Sequence, residues 1–255
     1  MNIIDTHAHL YMKEFHNDID HVINKSIKQG INKFFIPCIN HSTIYGIIKL
    51  VDKYYDLCEA MIGLHPNYVN SDNFKGELNK INKWLNNYHF ICIGEIGIDL
   101  YINKNFLYEQ IYVFETQIKW AIHKKIPIVI HCRKAFDYVF NILSKKENYY
   151  IKGIFHCFSG TLEQAKKIIK LGFKLGIGGI ITFKNNYIEK FLKKIDIKNI
   201  VLETDSPYLS PHPFRGKRNE PSNILIILKK LSEIYSLPER VIATITSNNV
   251  KELFS

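Results

Sequence analysis

The chain has 255 residues, 46% apolar and 23% charged, which suits a globular fold with a substantial core. No apolar run approaches the roughly 18 residues that a membrane span needs, and the N-terminus lacks the basic start, apolar core and small-residue cleavage site of a signal peptide. Net charge is +10, a weak pointer to an anionic partner such as nucleic acid; five scattered cysteines without a Cys-x-x-Cys argue against a disulfide framework or structural zinc. A cytoplasmic protein is expected, with no membrane association and no obligate protein partner.

In chain order, short apolar runs near 2–7, 32–38, 58–63, 90–95, 127–131, 152–157, 172–177 and 199–204 read as strands. Most are nearly continuous in Ile, Val and Phe, as parallel strands covered on both faces should be. Helical patterns lie between and after them, near 17–29, 42–55, 74–87, 106–124, 134–146, 161–170, 186–194 and 221–235. Gly30 and Gly172 fall where left-handed C-caps belong, and Pro127 opens a strand. A last helix near 238–253 begins at Pro238. Eight strand–helix units without a linker or composition break predict one domain over residues 1–255. The expected architecture is α/β, a single (β/α)8 TIM-type barrel with an extra C-terminal helix. An open doubly wound sheet is the competing architecture.

The strand ends carry the chemistry. The first ends in Asp5-Thr6-His7-Ala8-His9, the third in Gly63-Leu64-His65-Pro66 and the fourth in Gly94-Glu95-Ile96-Gly97-Ile98-Asp99. The fifth ends in His131, the sixth in His156 and the eighth in Leu202-Glu203-Thr204-Asp205. In a parallel barrel these ends share one rim, where active sites of this architecture lie. Period-two alternation sends His7 and His9 the same way, with Asp5 behind them as an orienting carboxylate. Each residue alone could be a satisfied polar group or a helix cap. Together, His7, His9, Glu95, His131, His156 and Asp205 exceed one tetrahedral zinc and suit two divalent cations (Mg, Mn, Zn or Co) sharing a carboxylate. Alternation turns Cys132 and Cys157 toward the helices, as small hydrophobes.

These stretches, with I-H-C-R-K-A at 130–135, H-C-F-S-G at 156–160, E-T-D-S-P-Y-L at 203–209 and R-G-K-R-N-E-P at 215–221, resemble the TatD family of metal-dependent deoxyribonucleases. The resemblance spans nearly the whole chain. It implies a TIM-type barrel, one or two divalent metals on the same six residues with Glu95 as the bridge, and cleavage of DNA phosphodiester bonds. Asn67, Leu100 and Cys132 depart from residues common in that family.

Asp205, at the end of the last strand, is the expected proton acceptor for a metal-activated water. His65 is expected to touch a phosphate oxygen or protonate a leaving oxygen. Arg133 and the loop bearing Arg215, Lys217 and Arg218 are candidate phosphate contacts. Tyr101, Phe158, Phe183, Tyr208 and Phe214 are candidate base-stacking rings. The expected substrate is DNA, as single strands or strand ends. Hydrolysis of small esters, amides or phosphoesters is the alternative, and a non-catalytic nucleic-acid binder the third reading.

Overall fold

The computed structural model describes residues 1–148 and 150–254. Eight strands, β1 (Ile3–Asp5), β2 (Ile31–Ile36), β3 (Cys58–Ile62), β4 (Cys92–Asp99), β5 (Ile128–Arg133), β6 (Gly153–Phe155), β7 (Lys174–Ile177) and β8 (Ile200–Leu202), pair in parallel in chain order. The barrel closes between its first and last strands. There the Thr6 amide donates to the Leu202 carbonyl at 3.0 Å, the Asp205 amide to His7 at 2.8 Å and the His9 amide to Ser206 at 2.7 Å. The helices are α1 (Ile19–Lys28), α2 (Ile44–Lys53), α3 (Phe74–Asn87), α4 (Leu107–Lys124), α5 (Phe136–Leu143), α6 (Leu162–Lys170), α7 (Glu189–Leu192) and α8 (Ile224–Tyr235). One follows each strand, and α9 (Glu239–Phe254) is the additional C-terminal helix. This is the TIM-type barrel the alternating pattern predicts; the open sheet is excluded.

Gly30 and Gly172 adopt φ of +90° and +85°, the left-handed geometry expected of helix C-caps. Pro238 accepts from the Val241 and Ile242 amides and so starts α9. Three strands end earlier than the sequence indicates. β1 stops at Asp5, β6 at Phe155 and β8 at Leu202, which leaves His7, His9, His156 and Asp205 on the loops just above the sheet. Conversely β4 runs on to Asp99, with a register shift against β5 between Ile93 and Ile96. α7 is a single turn, and Pro221–Asn223 form a 3-10 turn ahead of α8.

Two apolar layers support the rim. The larger lies between strands and helices and includes the fully buried Phe15, Phe34, Phe114 and Phe173. The smaller fills the barrel floor, where Ile4, Phe35, Met61, Cys92, Val129, Ile154 and Val201 meet Val250 and Leu253 of α9. Burying each such side chain contributes roughly 1.5–3 kcal/mol. Among the described residues, no helix is long and apolar enough to cross a membrane.

Candidate metal centre

All six expected ligands converge on one cavity of about 760 Å³ at the C-terminal mouth; His9, Glu95, His131, His156 and Asp205 line it, and His7 lies directly behind. Glu95 is its centre. Its Oε2 lies 3.1 Å from His7 Nε2 and 3.8 Å from His9 Nε2. Its Oε1 lies 2.9 Å from His131 Nδ1, 3.3 Å from His65 Nε2 and 3.8 Å from His156 Nε2. Asp205 Oδ1 faces the first group, at 3.4 Å from His9, 3.7 Å from His156 and 3.8 Å from His7. The clusters His7–His9–Glu95 and His65–Glu95–His131 thus share one carboxylate.

Several imidazoles are held from behind. His131 Nε2–H donates to Asp99 Oδ2 at 2.9 Å, and Asp99 Oδ1 in turn accepts from the Tyr101 and Ile102 amides at 2.8 Å. His156 Nδ1 lies 3.2 Å from Glu203 Oε1, which also accepts from the Cys157 amide. His9 Nδ1 is hydrogen-bonded to the Tyr11 hydroxyl at 3.2 Å. Holding the outer nitrogen fixes the tautomer and aims the other into the site. Gly176 makes room for Glu203, since a Cβ there would meet its carboxylate at 2.2 Å.

The donor set fits a divalent cation. With its Nε2–H given to Asp99, neutral His131 turns a lone pair toward Glu95 Oε1 at 2.9 Å, a contact that needs a proton or a metal between the two atoms. Among the described residues, every ion-pair partner of Glu95 and Asp205 is an imidazole, with no Lys or Arg to neutralise these buried carboxylates. Four imidazoles and two carboxylates without thiolate suit Zn²⁺, Mn²⁺, Co²⁺ or Mg²⁺.

Without a cation, protons must fill the gap, and the ionisation of the cluster follows. Burial would raise Glu95, but His65, His7, His156 and His131 hold it well below the usual carboxylate range. Burial likewise opposes ionisation of Asp205, and His156, His9 and His7 outweigh it to bring the carboxyl down. His156 goes up to about 10 despite burial, because Glu203, Glu95 and Asp205 surround it. Asp99 falls to about 2, where the His131 hydrogen bond and backbone donors overcome burial.

His65 has a different chemistry from the ligand histidines. The Asn67 amide donates to its Nδ1 at 3.1 Å, so the ring proton is on Nε2, and burial lowers its basicity. It presents a neutral N–H to the cavity, as expected of a donor to substrate.

Other expectations need correction. Asp5 orients no imidazole: it accepts from the His7 amide at 3.2 Å, the Thr204 amide at 3.0 Å and the Thr204 hydroxyl at 2.6 Å. It ties together the loops that carry His7 and Asp205. Cys157 does not turn away, because β6 has ended and Cys157 takes φ +48°; its thiol joins His156 and Glu203 within 4.8 Å. Cys132 packs on the core yet also lines the cavity. Arg133 is at the cavity edge, its guanidinium 4.0 Å from the Tyr101 ring centroid. Arg215, Lys217 and Arg218 of the basic loop do not line this cavity. Arg215 stacks 3.9 Å over Phe183, Lys217 is exposed, and Arg218 is bound to Asp18 at 2.7 Å and Glu220 at 2.9 Å. On that side the cavity wall is Tyr208 and Leu209.

Asp99, Glu203 and Tyr11 are the supporting residues that motif reading missed. Glu203 had a signal, lying two residues before Asp205 at the end of the eighth apolar run, and Asp99 stands four residues after Glu95. Tyr11 follows His9 by two in the same loop.

The family model for TatD related DNases matches residues 4–255. The chain belongs to the TatD family. It is similar to the uncharacterized metal-dependent hydrolase YabD of Bacillus subtilis, at 35% identity over 254 residues covering 99% of this chain and 98% of that one. A metal-dependent hydrolase of Mycoplasma genitalium, MG009, is 34% identical over 265 residues, covering 100% and 99%. The crystal structure of the TatD homolog YJJV from Escherichia coli superposes with a TM-score of 0.91 at 28% identity, covering 99% of this chain and 97% of that one. This TatD protein is a metal-dependent hydrolase.

Proposed function

We propose that this TatD hydrolase is a deoxyribonuclease that cleaves phosphodiester bonds of DNA, taking single strands or strand ends, with two divalent cations on either side of Glu95. The observation that carries the binuclear reading is the division of Glu95: Oε2 faces His7 and His9, while Oε1 faces His131. His156 and Asp205 complete the side bearing His7, through contacts of 3.7 and 3.8 Å among their donor atoms. Bound there, the cations would supply an acidified water and offset charge growing on the phosphoryl oxygens.

The chain's own groups then have distinct tasks. Asp205, ionised and with Oδ1 turned into the imidazole cluster, accepts the proton of the attacking water. Glu95 holds the two halves of the ligand set in register. His65 donates its Nε2–H to a phosphate or leaving oxygen, and Arg133 offers a bidentate donor at the edge. The description of the matching family as TatD related DNase and the net charge of +10 both favour a polyanionic substrate.

One observation favours the alternative of small ester, amide or phosphoester substrates: Arg215 and Lys217 stand apart from the cavity wall, so fewer cations meet the substrate than expected. The test is release of nucleotides from a labelled single-stranded oligonucleotide with Mg²⁺ or Mn²⁺, beside a panel of neutral esters and amides. Activity on DNA that is lost on chelation and in Asp205→Asn supports the nuclease. Faster turnover of the neutral panel favours the alternative, and activity surviving both treatments overturns the mechanism.

A further inference from the structure

The metal cavity is not the only volume at this rim. A second lobe of about 850 Å³ lies between the loops that follow β5 and β6, with α7 along its outer side. Cys132, Arg133, His156 and Ser159 line both volumes, so the lobe opens directly off a metal-ligand candidate and the rim arginine. Each volume falls in the range of ordinary small-ligand sites.

The lining of the lobe is amphipathic. Tyr187 is 72% exposed, and Lys190 Nζ sits 5.2 Å from its ring centroid. Phe158 and Phe191 provide apolar wall, and Lys134 joins Lys190 and Arg133 as a third cation beside two acids, Asp137 and Glu163. The N-terminus of α6 is already satisfied by the Thr161–Gln164 capping box, so an anion entering the lobe is left to the lysines. An aromatic face beside cations is the arrangement by which proteins hold a base and its phosphate without reading sequence.

We propose that this lobe is the subsite for the nucleotide adjoining the scissile phosphate, so that one bound strand spans both volumes. The proposal rests on the nuclease reading. A strand cut at the metals continues past Arg133 and His156, and the lobe is the volume that opens there. Tyr187 stacks on the neighbouring base, and Lys134 and Lys190 take the next phosphate. A duplex does not enter, because its bases are stacked on one another and unavailable to Tyr187.

The test compares hexathymidylate with bis(p-nitrophenyl) phosphate, a diester without a neighbouring nucleotide, on the metal-loaded protein and its Tyr187→Ala/Lys190→Ala variant. The expected result is a rise in KM on the hexamer of about tenfold with little change in kcat. The loss on the hexamer should exceed the loss on the small diester by at least roughly fivefold. Equal losses on both substrates, or an unaltered KM on a hexamer that the parent protein cleaves, would overturn the subsite and leave the nuclease reading standing. A parent protein that hydrolyses the small diester but never the hexamer would remove the nuclease reading, and the subsite with it.

Discussion

The floor and the mouth of the barrel lie one layer apart, the floor on the inward face of the strands and the mouth at their C-terminal ends and on the loops just beyond. Val129 lies in the floor and His131 in the mouth, two residues on; Ile154 and His156 repeat the relation, as do Val201 and Glu203. Side chains two apart on β5 share a face, and the loops carry His156 and Glu203 just past the ends of β6 and β8, so a single step along the barrel axis exchanges aliphatic packing for ligand chemistry. In the floor every contact stabilises the fold by itself. In the mouth, buried imidazoles and carboxylates are satisfied only with a cation or protons among them, which ties the stability of this layer to what it binds.

That contrast is broken most sharply at Asp205. Asp205→Asn keeps the shape of the side chain and removes its capacity to accept a proton, and a loss in kcat of about 10³-fold is expected. Thermal unfolding of the metal-free variant should be no less cooperative than that of the parent. The floor should show the reverse: Met61→Ala opens a cavity beneath the ligands, and urea unfolding should reveal a loss of about 2–5 kcal/mol, while kcat per folded molecule is retained. A floor substitution that abolished turnover without unfolding the protein would contradict the division of labour.

The supporting carboxylates sharpen the comparison. Asp99→Asn and Glu203→Gln leave all six ligands in place but weaken the hold on His131 and His156. Metal affinity should fall by about 10–100-fold in each, measured by competition with a chromogenic chelator.

Proton competition gives a graded effect, spread over several pH units. The folded-state basicity of His156 is raised from 6.5 to about 10, so in the metal-free protein its stabilising contribution is full below 6.5 and lost as pH rises through about 10. A cation at Nε2 must displace that proton. Metal affinity should therefore increase with pH up to about 10, by about tenfold per unit for each proton released. An affinity flat over this range would show that His156 is neutral before the metal arrives. Smallest of all, Arg215→Ala and Lys217→Ala should change DNA cleavage by less than about twofold, within the range of exposed polar groups that touch nothing in the site.

Much of this was legible in the sequence. The apolar runs marked the strands, and ligand-type residues at successive strand ends marked the rim, because periodicity and topology suffice for both. The device that turns Glu95 into the site was not. Glu95 lies three residues after Cys92 of the floor, which simple alternation would point outward, and the register shift between β4 and β5 at Ile93–Ile96 turns it in. Cys157 escaped for a related reason, since its left-handed φ breaks the alternation assumed for it. The placement of the basic loop was not legible because loops have no period: Arg218 is bound to Asp18 and Glu220, and Arg215 stacks on Phe183.

The central claim is that Glu95 joins two cation sites. Anomalous diffraction from crystals grown with Mn²⁺ tests it most directly. Two peaks per chain are expected, one contacting Glu95 Oε2 with His7 and His9 and one contacting Oε1 with His131. A single peak away from Glu95, or two peaks that both persist unshifted in Glu95→Ala, would contradict it.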